Sequence, residues 1–158
     1  MTFVDKRGCP FETKSYESGD YACLVEMYVS YTPKGAFQGL PPKKEEDIVT
    51  WIDMLLRDGE NLLAWQEGKV VGHAAILPDR DGENAEYLIF VRKGNRGLGV
   101  GNSLTTTAIE KAKGLGIARV WLTVDAYNFP AMKLYKKVGF DYCEECEYSS
   151  ERLMILNM

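Results

Sequence analysis

Three glycines alternate with larger residues in one short stretch of the chain, Arg96-Gly97-Leu98-Gly99-Val100-Gly101. A predicted strand precedes the stretch and a predicted helix follows it, so several backbone N–H groups can converge on one anion at a helix N-terminus. Glycine suits such a turn because a residue without Cβ can adopt positive φ and approach a phosphate closely. The Arg96 guanidinium can add a bidentate contact. The turn therefore predicts a phosphate site, although the pattern alone also fits a flexible surface turn.

Two nucleotide-binding motifs resemble this turn only in part. A dinucleotide fingerprint requires Gly-x-Gly-x-x-Gly early in a βαβ unit, but Asn102 stands where its third glycine belongs. Asp125 lies where a ribose-binding acid would be, yet the strands before the turn form an antiparallel meander. A Walker loop requires Gly-Lys-Ser/Thr after its glycines, and this sequence lacks it. The spacing of the glycines therefore argues against a nicotinamide-dependent oxidoreductase, and the missing Gly-Lys-Ser/Thr excludes a Walker-type phosphate-binding loop.

The elements that position the turn follow from periodicity and from breaker residues. Strands are predicted at residues 11–16, 61–66, 70–77, 85–92, 118–124, 140–147 and 152–157. Helices are predicted after Asp20, around 48–56, over 103–112, and from an Asn128 cap to Gly139. A loop rich in proline and glycine, 31–42, separates the first two helices. The order predicts an α/β (α+β) fold with a mixed, mostly antiparallel sheet of about seven strands.

The bulk composition limits the function classes. A chain of 158 residues with 46% hydrophobic and 27% charged residues fits one domain, residues 1–158. No apolar run approaches the roughly 20 residues that span a bilayer, and residues 1–10 are too polar for a secretory signal. We therefore expect a cytoplasmic protein without a membrane partner. A net charge of -4 argues against nucleic acid as a partner.

The cysteines and the late acidic residues carry weaker signals. Four cysteines are too few for a disulfide scaffold, so reduced thiols are expected. Cys143 and Cys146 form a single Cys-x-x-Cys without further ligands, which predicts ordinary packing and no metal site. Acidic residues cluster late in the chain, at Glu144, Glu145, Glu147 and Glu151. They indicate either a solvated edge or a surface that attracts a cationic amine.

The turn and its flanks resemble the GNAT superfamily of N-acetyltransferases. Its signature is Arg or Gln, two residues, Gly, one residue, then Gly or Ala, which Arg96, Gly99 and Gly101 match. Residues 88–92 look like the splayed fourth strand of the family, and residues 128–140 look like its second signature. The resemblance covers nearly the whole chain except the loop between the first two helices. It implies the GNAT fold, a twisted sheet with helices on both faces, and acetyl-CoA (coenzyme A) as co-substrate.

The resemblance also implies which residues bind the coenzyme. The backbone of Ile89 and Val91 would hydrogen-bond the pantetheine arm as an added strand does. Asn128 would touch the pantetheine or its thiol end. The pyrophosphate would lie on Arg96, Gly97, Leu98, Gly99, Val100, Gly101 and Asn102.

The reaction requires proton transfers, because an alkyl amine with a pKa of about 10.4 is protonated at neutral pH and must lose a proton before it attacks a thioester. Tyr135 matches the tyrosine that often acts as the acid for the departing thiolate in this family; the alternative is a core tyrosine. Glu86 is the candidate base, acting directly or through water, but it equally fits a solvated edge glutamate, and a bulge would decide where it points. His73, the single histidine, is interpreted mainly as structural, with a base as the alternative.

These expectations define an enzyme class and its alternatives. The resemblance implies an acyltransferase that transfers an acetyl group from acetyl-CoA to a primary amine by direct attack in a ternary complex. The acceptor is a small-molecule amine or a protein or peptide amine, with specificity expected from residues 24–56 and from Tyr127 and Phe129. The alternative is a non-catalytic acyl-CoA-binding or sensing module on the same fold. The resemblance further implies a homodimer formed through the C-terminal strands.

Overall fold

The structure is a computed structural model that describes residues 1–35, 40–143 and 150–158. Within these residues the elements are β1 (Thr2–Val4), β2 (Pro10–Ser15), α1 (Tyr21–Val29), α2 (Glu45–Asp58), β3 (Glu60–Gln66), β4 (Lys69–Pro78), β5 (Asn84–Val91), α3 (Val100–Gly114), β6 (Arg119–Asp125), α4 (Phe129–Val138), β7 (Asp141–Tyr142) and β8 (Glu151–Asn157). Short 3₁₀ turns at Ser18–Asp20 and Lys93–Asn95 precede α1 and the glycine-rich turn.

All the described strands belong to one sheet, in the order β1-β2-β3-β4-β5-β6-β8-β7. The pair β5–β6 is parallel and the other neighbouring pairs are antiparallel. The hairpin between β3 and β4 turns at Glu67 and Gly68, which have φ values of 51° and 75°, as expected for a tight two-residue turn. The prediction of a mixed, mostly antiparallel sheet is confirmed.

The structure adds one strand to the predicted set. β1 is a strand of three residues, too short for an alternating pattern to show in the sequence. It is fixed by its partner β2, since the rings of Phe3 and Phe11 stack with centroids 5.4 Å apart. The predicted strand 140–147 is described only as β7, because residues 144–149 lie outside the described part of the chain. Cys146 and the acidic residues Glu144, Glu145 and Glu147 are among them.

Helices cover both faces of the sheet, as the resemblance implied. Tyr28 of α1 and Ile52 of α2 pack with Phe90 in one apolar cluster, whereas Leu104 of α3 and Met132 of α4 belong to the cluster on the other face. Gly72 of β4 lets α3 approach the sheet, since a Cβ there would lie 2.7 Å from Cδ1 of Leu104. In the described part of the chain, no helix has the length and apolar character needed to cross a bilayer.

Candidate active site

The sheet opens between its two parallel strands. β5 pairs with β6 over three positions that end at Glu86 and Trp121. Beyond them β5 continues along β4 as far as Val91, and β6 continues along β8 as far as Asp125. The two strands therefore part at Glu86 and leave a gap, which is lined by an edge of β5 that has no partner strand within the described residues.

Alternate backbone groups of β5 face this gap. The N–H of Arg92 donates to the carbonyl of Val71 on β4 at 2.9 Å. Because neighbouring residues of a strand direct their backbone groups to opposite edges, the N–H and C=O groups of Val91, Ile89 and Tyr87 point towards β6. Such an edge can bind an extended chain that carries amide groups. This geometry fits the predicted role of Ile89, whereas the carbonyl of Val91 already accepts from the Arg96 side chain at 2.8 Å.

The glycine-rich turn lies at the open end of the gap. Gly97 and Gly99 have φ values of 72° and 102°, and Gly99 is the N-cap of α3. A Cβ at either position would meet nothing within 4 Å, so these glycines are needed for their conformation and the space before them is open. At Gly101 in the first turn of α3, a Cβ would lie 3.4 Å from Leu134 and 3.9 Å from Val91. The N-terminal N–H groups of α3, which have no partner within the helix, therefore adjoin the β5 edge.

A network of polar side chains, largely buried, stabilises the glycine-rich turn and the residues just before it. Asn95 Nδ2 donates to Gln66 Oε1 at 2.9 Å, and Gln66 Nε2 donates to Asp5 Oδ2 at 3.1 Å. The N–H of Lys6 donates to the carbonyl of Leu98 at 3.0 Å. Burial alone would raise the pKa of Asp5, but hydrogen bonds from Gln66 and from residues 7 and 9 lower it to about 2. The sequence carries no signal for this network, since its members lie far apart in the chain.

The Arg96 side chain contacts carbonyl groups of the protein. Its Nε donates to the carbonyl of Val91 at 2.8 Å, and a terminal nitrogen donates to the carbonyl of Thr32 at 2.6 Å. The guanidinium carbon lies 5.0 Å from the ring centre of Tyr31. The phosphate contact expected for this side chain stays a prediction, and the backbone of Arg96 remains part of the turn.

Tyr31 is a site residue that the sequence did not single out, because it begins the loop that the family resemblance left unmatched. Its side chain is buried, with 8% exposure. Burial raises its pKa, and the Arg96 guanidinium and the N–H of Val91 oppose this shift. The hydroxyl therefore lies near a backbone group that faces the gap.

Tyr135 lies on α4 and is also 8% exposed. Its ring packs edge-on against Phe140 with centroids 5.8 Å apart. Burial raises the pKa of the Tyr135 hydroxyl well above its usual value, and Tyr31 adds to this shift. The hydroxyl thus keeps its proton at neutral pH and is able to donate it.

Glu86 lies where β5 and β6 part. The register between β4 and β5 has no shift, so no bulge interrupts the alternation and Glu86 shares a face with Leu88 and Phe90. That face carries α1 and α2, because Leu88 and Phe90 pack in their cluster. The side chain is half-buried, and burial raises its pKa above the usual value for a glutamate. This environment suits a base better than a fully solvated edge does.

His73 is fully buried in a chain of hydrogen bonds. Asn61 Nδ2 donates to two carbonyl groups, at 2.9 and 3.0 Å, so its Oδ1 is the acceptor for Nε2–H of His73 at 2.7 Å. Nδ1 then accepts from the Tyr28 hydroxyl at 2.6 Å. Burial lowers the pKa of His73 to about 3. The structure therefore supports the structural interpretation and argues against His73 as the base.

The residues before α4 lie at the surface. Asn128 caps the helix as predicted, since its Oδ1 accepts from the N–H of Ala131 at 3.3 Å. Tyr127 and Phe129 beside it are 80% and 67% exposed. The capping bond uses the Asn128 oxygen, so its expected pantetheine contact would fall to Nδ2. Among residues 1–35, 40–143 and 150–158, no group of His, Cys, Asp or Glu is arranged to hold a metal ion.

Known proteins share both sequence and fold with this chain. Mycothiol acetyltransferase from Thermomonospora curvata is 34% identical over 91 residues, which cover 56% of this chain and 30% of that protein. The L-methionine sulfoximine/L-methionine sulfone acetyltransferase of Pseudomonas aeruginosa is 28% identical over 97 residues, or 58% of this chain and 56% of that protein. The chain thus matches less than two thirds of the length of either relative.

Solved structures match over nearly the full length. The GNAT domain of S. lividans PAT has a TM-score of 0.81 at 17% identity, covering 100% of this chain and 96% of that one. The GNAT-family acetyltransferase from Streptococcus pneumoniae has a TM-score of 0.76 at 25% identity, covering 94% and 99%. The putative acetyltransferase yncA of Salmonella typhimurium, solved with its cofactor acetyl-CoA, has a TM-score of 0.73 at 17% identity and covers 93% of each chain.

A family model gives the same result over most of the sequence. Residues 22–140 match the model described as "Acetyltransferase (GNAT) family". The match includes α1 except its first residue, and all of α2, the split pair β5–β6, the glycine-rich turn and α4. With the fold and the gap already established, the chain belongs to the GNAT family of acetyltransferases.

Proposed function

We propose that this protein is an N-acetyltransferase that transfers the acetyl group of acetyl-CoA to a primary amine by direct attack in a ternary complex. One observation carries the proposal: the unpaired edge of β5 runs along a gap that ends at the glycine-rich turn and the N-terminus of α3. An amide-bearing arm and a pyrophosphate are the two ligand groups that these surfaces suit. Family membership and the acetyl-CoA in the Salmonella neighbour support the same assignment.

The coenzyme contacts are assigned mainly to backbone groups. Ile89 hydrogen-bonds the pantetheine arm, and Asn128 lies near its thiol end. A pantetheine contact at Val91 would have to leave the Val91 carbonyl on the Arg96 side chain. The pyrophosphate lies on the N–H groups of the turn formed by Arg96, Gly97, Leu98, Gly99, Val100, Gly101 and Asn102. Positive φ at Gly97 and Gly99 supports this assignment, because it allows successive N–H groups to converge on one anion.

The amine first loses one proton to solvent to become neutral, and the chemical step then needs one further proton removed and one supplied. The amine nitrogen attacks the thioester carbonyl, a C–N bond forms as the C–S bond breaks, and the amine proton passes to Glu86 directly or through water. Tyr135 donates its proton to the departing sulfur. The raised pKa of Glu86 supports its role, since it makes the carboxylate a stronger base. Burial keeps Tyr135 protonated but also makes its hydroxyl a weaker acid, so its role depends on its place beside the gap.

The acceptor is assigned as a small-molecule amine, with a protein or peptide amine as the second class. Relatives named for mycothiol and for L-methionine sulfoximine favour the first class. The α1–α2 side of the gap, near Tyr31, is the surface expected to select the amine.

Turnover of acetyl-CoA against a panel of amines, followed through the released thiol, tests the proposal. We expect release that depends on one amine class and an N-acetylated product of matching mass. Saturable acetyl-CoA binding without turnover on any amine would instead favour a non-catalytic sensing module. A thermal shift with a nicotinamide cofactor and none with acetyl-CoA would reject both functions.

A further inference from the structure

The Arg96 side chain joins two segments that are distant in the sequence. One nitrogen donates to Val91 on β5, and another donates to Thr32, just beyond the end of α1. The planar guanidinium can make both bonds at once because its donors form a rigid fork. Arg96 thereby connects β5 to Thr32, at the start of the segment between α1 and α2.

The ring of Tyr31 packs against the Arg96 guanidinium, so that Arg96, Tyr31, Thr32 and Val91 form one contact group, here called the Arg96 bracket. Its ring meets Phe90 nearly at right angles, with centroids 5.8 Å apart, and the Tyr28 ring at 5.9 Å. Phe90 shares its β5 face with Glu86. Tyr31 and Thr32 are therefore held on the face from which an amine would reach Glu86.

The same contacts conflict with a phosphate role for this side chain. A guanidinium turned towards a pyrophosphate would have to leave the Val91 and Thr32 carbonyls and its position over the Tyr31 ring. The turn does not require it, because convergent N–H groups and a helix N-terminus already form an anion site. The backbone of Arg96 and its side chain thus serve different halves of the gap.

We propose that the Arg96 side chain is a positioning residue for the amine acceptor, acting by holding Tyr31 and Thr32 against Val91. The inference rests on the proposed acetyltransferase function and reassigns only this side chain. It makes Tyr31 part of the acceptor surface.

Two Arg96 variants separate this role from phosphate binding. Arg96→Lys keeps the positive charge but loses the fork, and Arg96→Met loses both. We expect each to raise the acceptor KM about ten-fold, while the acetyl-CoA Kd from calorimetry changes less than about two-fold. Lys93→Met is the control, since it removes an exposed charge from the adjacent 3₁₀ turn; we expect it to change neither constant.

Tyr31 variants test the Arg96 bracket through a second residue. Tyr31→Leu removes the ring beneath the guanidinium and should raise the acceptor KM as Arg96→Met does, whereas Tyr31→Phe keeps the ring and should have a smaller effect. Hydrogen exchange of residues 31–35 should rise in Arg96→Met and stay unchanged in Lys93→Met.

The opposite pattern would overturn the inference. Arg96→Met would then weaken acetyl-CoA binding about ten-fold, Arg96→Lys would restore it, and the acceptor KM would not change. Absence of turnover in the wild-type protein on every amine would reject the proposed function. Wild-type turnover with an unchanged acceptor KM in Arg96→Met would reject this inference alone.

Discussion

Glu86 and Tyr135 lie on opposite faces of the sheet beside the gap between β5 and β6. Glu86 shares its face with Leu88 and Phe90, beneath α1 and α2, whereas Tyr135 belongs to the cluster that α3 and α4 form on the other face. An amine approaching from the first side and a thiolate leaving towards the second would each meet the group that it needs. Proton removal would then occur on the α1–α2 face and proton donation on the α3–α4 face.

Replacing Tyr135 by Phe should lower kcat by about a hundred-fold and leave the acetyl-CoA Kd unchanged, because only the proton donor is lost. The raised pKa keeps the hydroxyl protonated, so we expect no alkaline loss of kcat from this group below about pH 10. Tyr142→Phe is a matched control, since that hydroxyl contacts Met132 and lies outside the proposed machinery. Equal losses in both variants would contradict the assignment.

Replacing Glu86 by Gln should remove the acidic limb of the pH profile of kcat/KM. Burial raises the pKa of Glu86, and a base works only when deprotonated, so wild-type activity should rise as the pH increases through that value. Glu83→Gln changes an exposed glutamate just before β5 and should leave the limb in place. An acidic limb that survives in Glu86→Gln rules the role out.

Gly99 and Gly94 form a matched pair in and near the coenzyme turn. A Cβ at either residue meets nothing within 4 Å, but only Gly99 of the two has positive φ. Gly99→Ala should therefore cost about 1 kcal/mol of folding free energy through backbone strain and should weaken acetyl-CoA binding. Gly94→Ala should change neither quantity in urea unfolding and calorimetry. A normal acetyl-CoA Kd in Gly99→Ala would remove the turn from the site.

His73 predicts a pH-dependent stability. Its folded pKa of about 3 lies below the usual value of 6.5, so the unfolded chain binds a proton that the folded chain excludes. The contribution of His73 to the free energy of unfolding should be constant above about pH 7.5 and fall as the pH drops below 6.5, by up to about 5 kcal/mol near pH 3. Urea unfolding at pH 7.5 and pH 5 measures the fall, which should be smaller in His73→Gln. Equal falls in both proteins would contradict it.

Local features of the fold were predictable from the residues themselves. Asn128 and Pro130 mark the start of α4, and Gly139 marks its end, because cap preferences depend on a few neighbouring residues. The glycine-rich turn was predictable for the same reason. The direction of Glu86 depended on whether a bulge interrupts β5, and without one the plain alternation puts it on the face of Leu88 and Phe90.

Contacts between distant residues were decided by the tertiary structure. No local pattern states that β5 and β6 part after Glu86, that Gln66 connects Asp5 to Asn95, or that His73 is enclosed by Tyr28 and Asn61. The sequence showed an arginine before three alternating glycines, which favours a phosphate. Only the tertiary structure places its guanidinium on the carbonyls of Val91 and Thr32, because a long side chain contacts the acceptors that packing brings near it. A glycine's backbone conformation, by contrast, is set largely by its own lack of a side chain.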